Sequence, residues 1–173
     1  MTGFSFLRGL FLGLAALSAC SPAQAAPTPA VTNATAKVEI ISGVNVRKLR
    51  DLNFAWLTAG GAGTATINPD TEVMTTTGGV LHAGATPFAA LFEAVSPAKA
   101  VVIIRIPRDP IIVTRVGGTE TMTVSNWTLS GNSRRNTVAH EQFEFKVGGT
   151  LTVGANQLAG VYTGTYSVSV NYQ

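Results

Sequence analysis

Along most of the chain apolar and polar residues alternate with a period of two, the spacing expected of β-strands whose faces meet different surroundings. The clearest run sets Tyr162, Gly164, Tyr166, Val168, Val170 and Tyr172 in one phase and Thr163, Thr165, Ser167, Ser169 and Asn171 in the other. Near the amino end, Val38, Ile40, Val44 and Val46 oppose Lys37, Glu39, Asn45 and Arg47, predicting a first strand with a bulge or bend at Ser42-Gly43. Leu52, Phe54 and Trp56 share the next apolar face, and Ala59-Gly60-Gly61-Ala62-Gly63 reads as a tight reversal, because glycine reaches positive φ without cost. Phe143, Phe145 and Val147 alternate with Gln142, Glu144 and Lys146, and Gly148-Gly149 reads as a hairpin turn leading to Leu151 and Val153.

Shorter strands are expected around Thr64 to Ile67 and Thr71 to Thr77, split by Asn68-Pro69-Asp70 and closed by Thr77-Gly78-Gly79. The segment Pro87 to Val95 fits helical spacing through Phe88, Leu91, Phe92 and Val95, but it is short for a helix and reads as a strand. Ala100 to Ile106 is almost continuously apolar, as in a strand covered on both faces, and Pro107-Arg108-Asp109-Pro110 stops it. In Thr119 to Leu129 the apolar phase changes between Val124 and Trp127, predicting a bulge at Ser125 or Asn126 with Trp127 in the core. About eight to ten strands without intervening helices predict an all-β, immunoglobulin-like antiparallel β-sandwich, with a small closed barrel as the alternative.

Composition narrows this picture. Hydrophobic residues make up 46% of the 173 and charged residues 12%, so the chain has the material for one cored domain and is too apolar for intrinsic disorder. The net charge of +3 is mild and its cations are scattered apart from Arg47-Lys48-Leu49-Arg50 and Arg134-Arg135, which argues against nucleic acid as a partner. Residues 1–26 read as a signal peptide: Arg8 ahead of an apolar run from Leu10 to Ala19, then a small-x-small cleavage site at Ala23-Gln24-Ala25. Residues 27–36, rich in Pro, Ala and Thr, read as a flexible lead and residues 37–173 as the sandwich domain. Leu17-Ser18-Ala19-Cys20 also resembles a bacterial lipobox, so Cys20 is a candidate lipidation site. Cleavage after Ala25 leaves a mature chain with no cysteine, hence no disulfide; cleavage before Cys20 makes an outer-membrane lipoprotein. Either route places the protein in the periplasm, at the cell surface or outside the cell. No segment of the mature chain reaches the roughly 20 apolar residues of a spanning helix, so no integral membrane segment is expected.

Candidate chemistry is sparse. The two histidines, His82 and His140, lack the paired spacing of a metal site. Asp51, Asp70 and Asp109 are the only aspartates, and no Gly-x-Ser-x-Gly elbow accompanies them. Asp51, Asp70 and Glu72 lack the framing of a calcium loop, and Gly60-Gly61-Ala62-Gly63 lacks the Lys and helix of a phosphate loop. The sequence therefore predicts no catalytic, cofactor-binding or metal residues, and no enzyme.

The last alternating run reaches Tyr172, and a strand edge left open there would pair with another strand. The cover is either the chain's own first strand or one from another subunit. With Tyr172 penultimate, Gly160 thirteen positions before Gln173, and Tyr166, Val168 and Val170 alternating between, the ending resembles pilus subunits of the chaperone-usher class. The resemblance implies partners: a periplasmic chaperone, an usher, and identical or related subunits that donate a missing strand. It marks Gly160, Tyr166, Val168, Val170 and Tyr172 as candidate partner-binding residues.

From about Ala36 to Gln173 the chain is also similar to an exported bacterial family, domain of unknown function 4402. The similarity rests on Asp51-Leu52-Asn53-Phe54, Gly60-Gly61-Ala62-Gly63-Thr64, Asn68-Pro69-Asp70, Met122-Thr123-Val124, the stretch from Gly148 to Gly154, and the stretch from Gly160 to Tyr166. It departs at Ala55-Trp56, where that family tends to place Gly after Phe54, and in the loop from Arg134-Arg135 to His140. The expectation is a non-enzymatic structural subunit of a fimbria-like or pilus-like fibre built by β-strand complementation. The alternative is a self-contained adhesion or ligand-binding module, secreted or tethered through Cys20.

Overall fold

The computed structural model describes residues 32–40 and 44–173, which form eleven strands and no helix. They are β1 (Thr32–Ile40), β2 (Asn45–Arg50), β3 (Leu52–Ile67), β4 (Met74–Gly84), β5 (Ala90–Ser96), β6 (Ala100–Arg105), β7 (Ile111–Arg115), β8 (Thr121–Leu129), β9 (Arg134–Thr137), β10 (Glu141–Val153) and β11 (Gly160–Tyr172). Strands β10, β8, β7, β11, β1 and β3 pair in succession, and β3 pairs back onto β10, so the sheet closes into a ring. From this ring β5 and then β2 extend beyond β10, β4 extends beyond β3, and β6 with β9 attaches to β11. Every pairing between strands is antiparallel except β1 with β11. The all-β expectation holds, and the sheet closes on itself in the manner of the barrel given as the alternative to the sandwich, with further strands attached.

The ring encloses an apolar core in which Leu52, Phe54, Phe92, Phe145, Leu151 and Tyr162 are fully buried. Phe92 and Phe145 stack with centroids 5.2 Å apart, joining β5 to β10. Burying side chains of this size contributes about 1.5–3 kcal/mol each by transfer from water, which is what rewards alternation with one face inward.

Several local expectations hold for the reasons that motivated them. Asn68 turns the chain between β3 and β4, its Oδ1 accepting from the amides of Asp70 and Thr71 at 2.8 and 3.2 Å. The phase change in β8 is a bulge: the register slips between Gly148 and Thr150 of β10, and Asn126 has φ +48°. Trp127 is half-buried rather than enclosed, and its ring lies 4.6 Å from that of Tyr166. Pro87 to Val95 leads into β5, a strand as read.

Other expectations are corrected. Neither glycine run is a reversal, since β3 runs unbroken through Gly60–Gly63 and β10 through Gly148-Gly149. Their glycines permit close approach instead. A Cβ on Gly63 would strike the Thr77 carbonyl oxygen, one on Gly79 the backbone of Gly61, and one on Gly148 the carbonyl oxygen of Ile67. Likewise Thr77-Gly78-Gly79 lies within β4. Trp56 does not share a face with Leu52 and Phe54, because Ala55 adopts φ +57° and shifts the phase, leaving Trp56 exposed and Leu57 buried. The expected first strand, Lys37 to Val46, is two strands, β1 and β2, that lie far apart in the sheet order. β1 also begins at Thr32, inside the stretch read as a lead. The signal peptide, Cys20 and the bend at Ser42-Gly43 lie outside the described residues.

Candidate functional site

The feature with most bearing on recognition is the slot between β3 and β11 that β1 fills. β11 presents Tyr162, Tyr166, Val168 and Val170 inward, each at most 3% exposed, as its alternation requires. β1 lies parallel along residues 160–168, from Thr32 opposite Gly160 to Ile40 opposite Val168. Its other edge pairs antiparallel with β3, from Thr32 opposite Leu57 to Ala36 opposite Leu52, with a slip between Asn33 and Thr35. Ala34 and Ala36 are buried in the slot and Lys37 is exposed, so small side chains face the interior where two neighbouring strands crowd it. The cover that the sequence left open is thus supplied by the chain's own first strand.

The five candidate partner residues separate. Tyr166, Val168 and Val170 form one inward row, with Tyr166 opposite Val38 on β1 and Val170 opposite Ile104 on β6. Gly160 opens β11 with φ +155°, against the side chain of Arg115, which is paired with Glu120 at 2.6 Å. Tyr172 is exposed at the far end, opposite Val102. Burial pushes the Tyr166 phenol well above its ordinary range, with the Asp51 charge adding to the effect, and the hydroxyl has no hydrogen-bond partner among the described residues. Tyr162, four residues earlier, donates to the Leu158 carbonyl at 2.8 Å and accepts from Gln157 at 2.7 Å.

Sequence reasoning missed an ion cluster at the β3–β4 turn, where Glu72, at φ +57°, pairs with both Arg50 and Lys146. Burial alone would raise the Glu72 carboxyl, but the Lys146 hydrogen bond and the Arg50 charge outweigh it and hold the carboxyl below its ordinary value. These residues are scattered in sequence, so no spacing could have announced them. His82 bonds the Ala85 carbonyl at 2.8 Å and His140 is exposed in a turn. Among the described residues no three His, Cys, Asp or Glu side chains gather as a metal set, and no helix is long and apolar enough to cross a membrane. What the arrangement offers chemically is backbone pairing along strand edges, backed by apolar pockets for alternate side chains.

Neither a curated protein nor a solved structure matches the chain. Residues 44–172, which hold β2 to β11 but not β1, match the family described as Domain of unknown function (DUF4402), and the chain belongs to that family.

Proposed function

We propose that the protein is a non-enzymatic structural subunit of a fimbria-like surface fibre, with β1 as the complementing strand passed between copies. The observation that carries this reading is the place of β1: the earliest described strand fills the gap between β3 and β11 and closes the ring. Exchanging such a strand between copies preserves every contact it makes within one chain, so it is a low-cost route to assembly. With β1 withdrawn, Tyr166 and Val168 would lie beneath an open edge, the surface a periplasmic chaperone or the next subunit would cover, with Val170 just beyond it beside β6. Gly160 would mark one end of that contact and Val168 the other, while Tyr172 lies beyond it, opposite Val102 of β6. Export, by either signal reading, belongs to this proposal.

A self-contained adhesion or ligand-binding module is the second reading, favoured by the nine consecutive register pairs that β1 makes with β11 within one chain. One experiment separates the two. Thr35 and Thr163 are opposite in register. In a full chain carrying Cys20→Ser, Thr35→Cys and Thr163→Cys, the single native cysteine is gone, and oxidation reports whose β1 lies beside each β11. Covalent ladders on non-reducing gels are the result expected of a fibre subunit. Intramolecular disulfides alone would discard strand exchange and leave the self-contained module.

A further inference from the structure

Three strands pair on one side only among the described residues: β2 with β5, β9 with β6, and β4 with β3. Open edges invite pairing with other chains, and charged side chains are the usual protection. β2 carries Arg47, Lys48 and Arg50, and β9 carries Arg134 and Arg135. β4, the longest of the three at eleven residues, reads Met-Thr-Thr-Thr-Gly-Gly-Val-Leu-His-Ala-Gly, with no Lys, Arg, Asp, Glu or Pro. Beside this edge lies exposed apolar surface. Leu81 is 64% exposed, opposite Thr58, and Trp56 is 48% exposed, opposite Gly84 and two residues along β3 from Thr58.

We propose that the β4 edge pairs antiparallel with β4 of a second copy, with Leu81 and Trp56 covered by that contact. A second copy fits because a two-fold contact sets each edge against itself. Self-pairing of β2 or β9 would oppose like charges, which destabilises a ladder, whereas β4 opposes none. Thr75, Thr76 and Thr77 supply a β-branched run suited to cross-strand Thr pairs. The bulge between Ala59 and Gly63, matched by Gly78 at φ +65°, divides the edge and limits the ladder to short stretches on either side. With a net charge of +3 per chain, copies repel at long range, so association should strengthen as salt screens that repulsion.

The inference does not rest on strand exchange, and the test keeps them apart. The full chain with Cys20→Ser, Thr35→Cys and Thr163→Cys is oxidised and its intramolecularly closed fraction isolated, so that β1 cannot leave. Trp127→Phe is added to leave Trp56 as the only tryptophan. Light scattering over a concentration series should show a dimer favoured by salt, with Trp56 emission shifting to the blue as it forms. Thr75→Lys with Leu81→Lys, both at exposed positions, should abolish dimer and shift while leaving the thermal midpoint of the monomer unchanged. A closed chain that stays monomeric to its solubility limit overturns the second-copy assignment and leaves the edge to some other extended strand. A dimer that survives both lysines places the contact elsewhere and also overturns it.

Discussion

Two tyrosines on the same face of one strand should answer the same substitution with opposite signs. Tyr166→Phe removes a buried hydroxyl that has no partner among the described residues, whereas Tyr162→Phe removes one that bonds both Leu158 and Gln157. An unsatisfied buried polar group costs about 1–3 kcal/mol, and a satisfied bond contributes about 0.5–1.5 kcal/mol. Allowing for the small void left behind, Tyr166→Phe should stabilise by about 1 kcal/mol. Tyr162→Phe should destabilise by about 2 kcal/mol, because it breaks two bonds and strands the Leu158 carbonyl. At roughly 2–4 °C per kcal/mol for a chain of this size, thermal unfolding followed by circular dichroism should show midpoints moving about 3 °C up and 4–8 °C down.

Alkaline titration adds an independent check on Tyr166. Its folded-state pKa lies above the ordinary 10.0, so the unfolded chain loses that proton first and stability falls as pH rises past 10. Tyr166→Phe should make the alkaline fall shallower. A loss of stability on Tyr166→Phe comparable to that of Tyr162→Phe would refute the reasoning, since it would mean the hydroxyl is partnered.

Ala55 occupies the left-handed region at φ +57°, so Ala55→Gly should stabilise by about 0.5–1 kcal/mol in urea unfolding, the relief of strain exceeding the entropy glycine adds to the unfolded chain. Gly63→Ala should cost at least about 2 kcal/mol by the same measurement, because its Cβ meets the Thr77 carbonyl, which is backbone and cannot swing away. The Glu72 carboxyl is held below its ordinary 4.5, so its contribution is present above that pH and is lost as pH falls through the lowered value. The thermal midpoint of Glu72→Gln should therefore fall less steeply than wild type below pH 4.5.

How much of this was legible depended on the range of the cause. The inward row of β11 and the bulge at Asn126 could be read because side-chain phase is a property of consecutive residues. The departure of Ala55 from the family's glycine pointed to the right place, and the backbone there does adopt a conformation that glycine takes freely. The glycine runs misled because glycine serves two purposes, reversal and close approach, and only the neighbouring strand distinguishes them.

The sequence by itself determined that the chain folds as strands around an apolar core, which faces turn inward at most of them, and where Asn68 reverses the chain, all consequences of local pattern and turn chemistry. Only the tertiary structure decided that β1 runs parallel to β11 and antiparallel to β3, that β3 meets β10 to close the ring, and that β4 has an uncharged edge left open among the described residues. Pairing partners are chosen by contacts between residues distant in the chain, and a period of two records which face of a strand is buried but not which strand lies beside it.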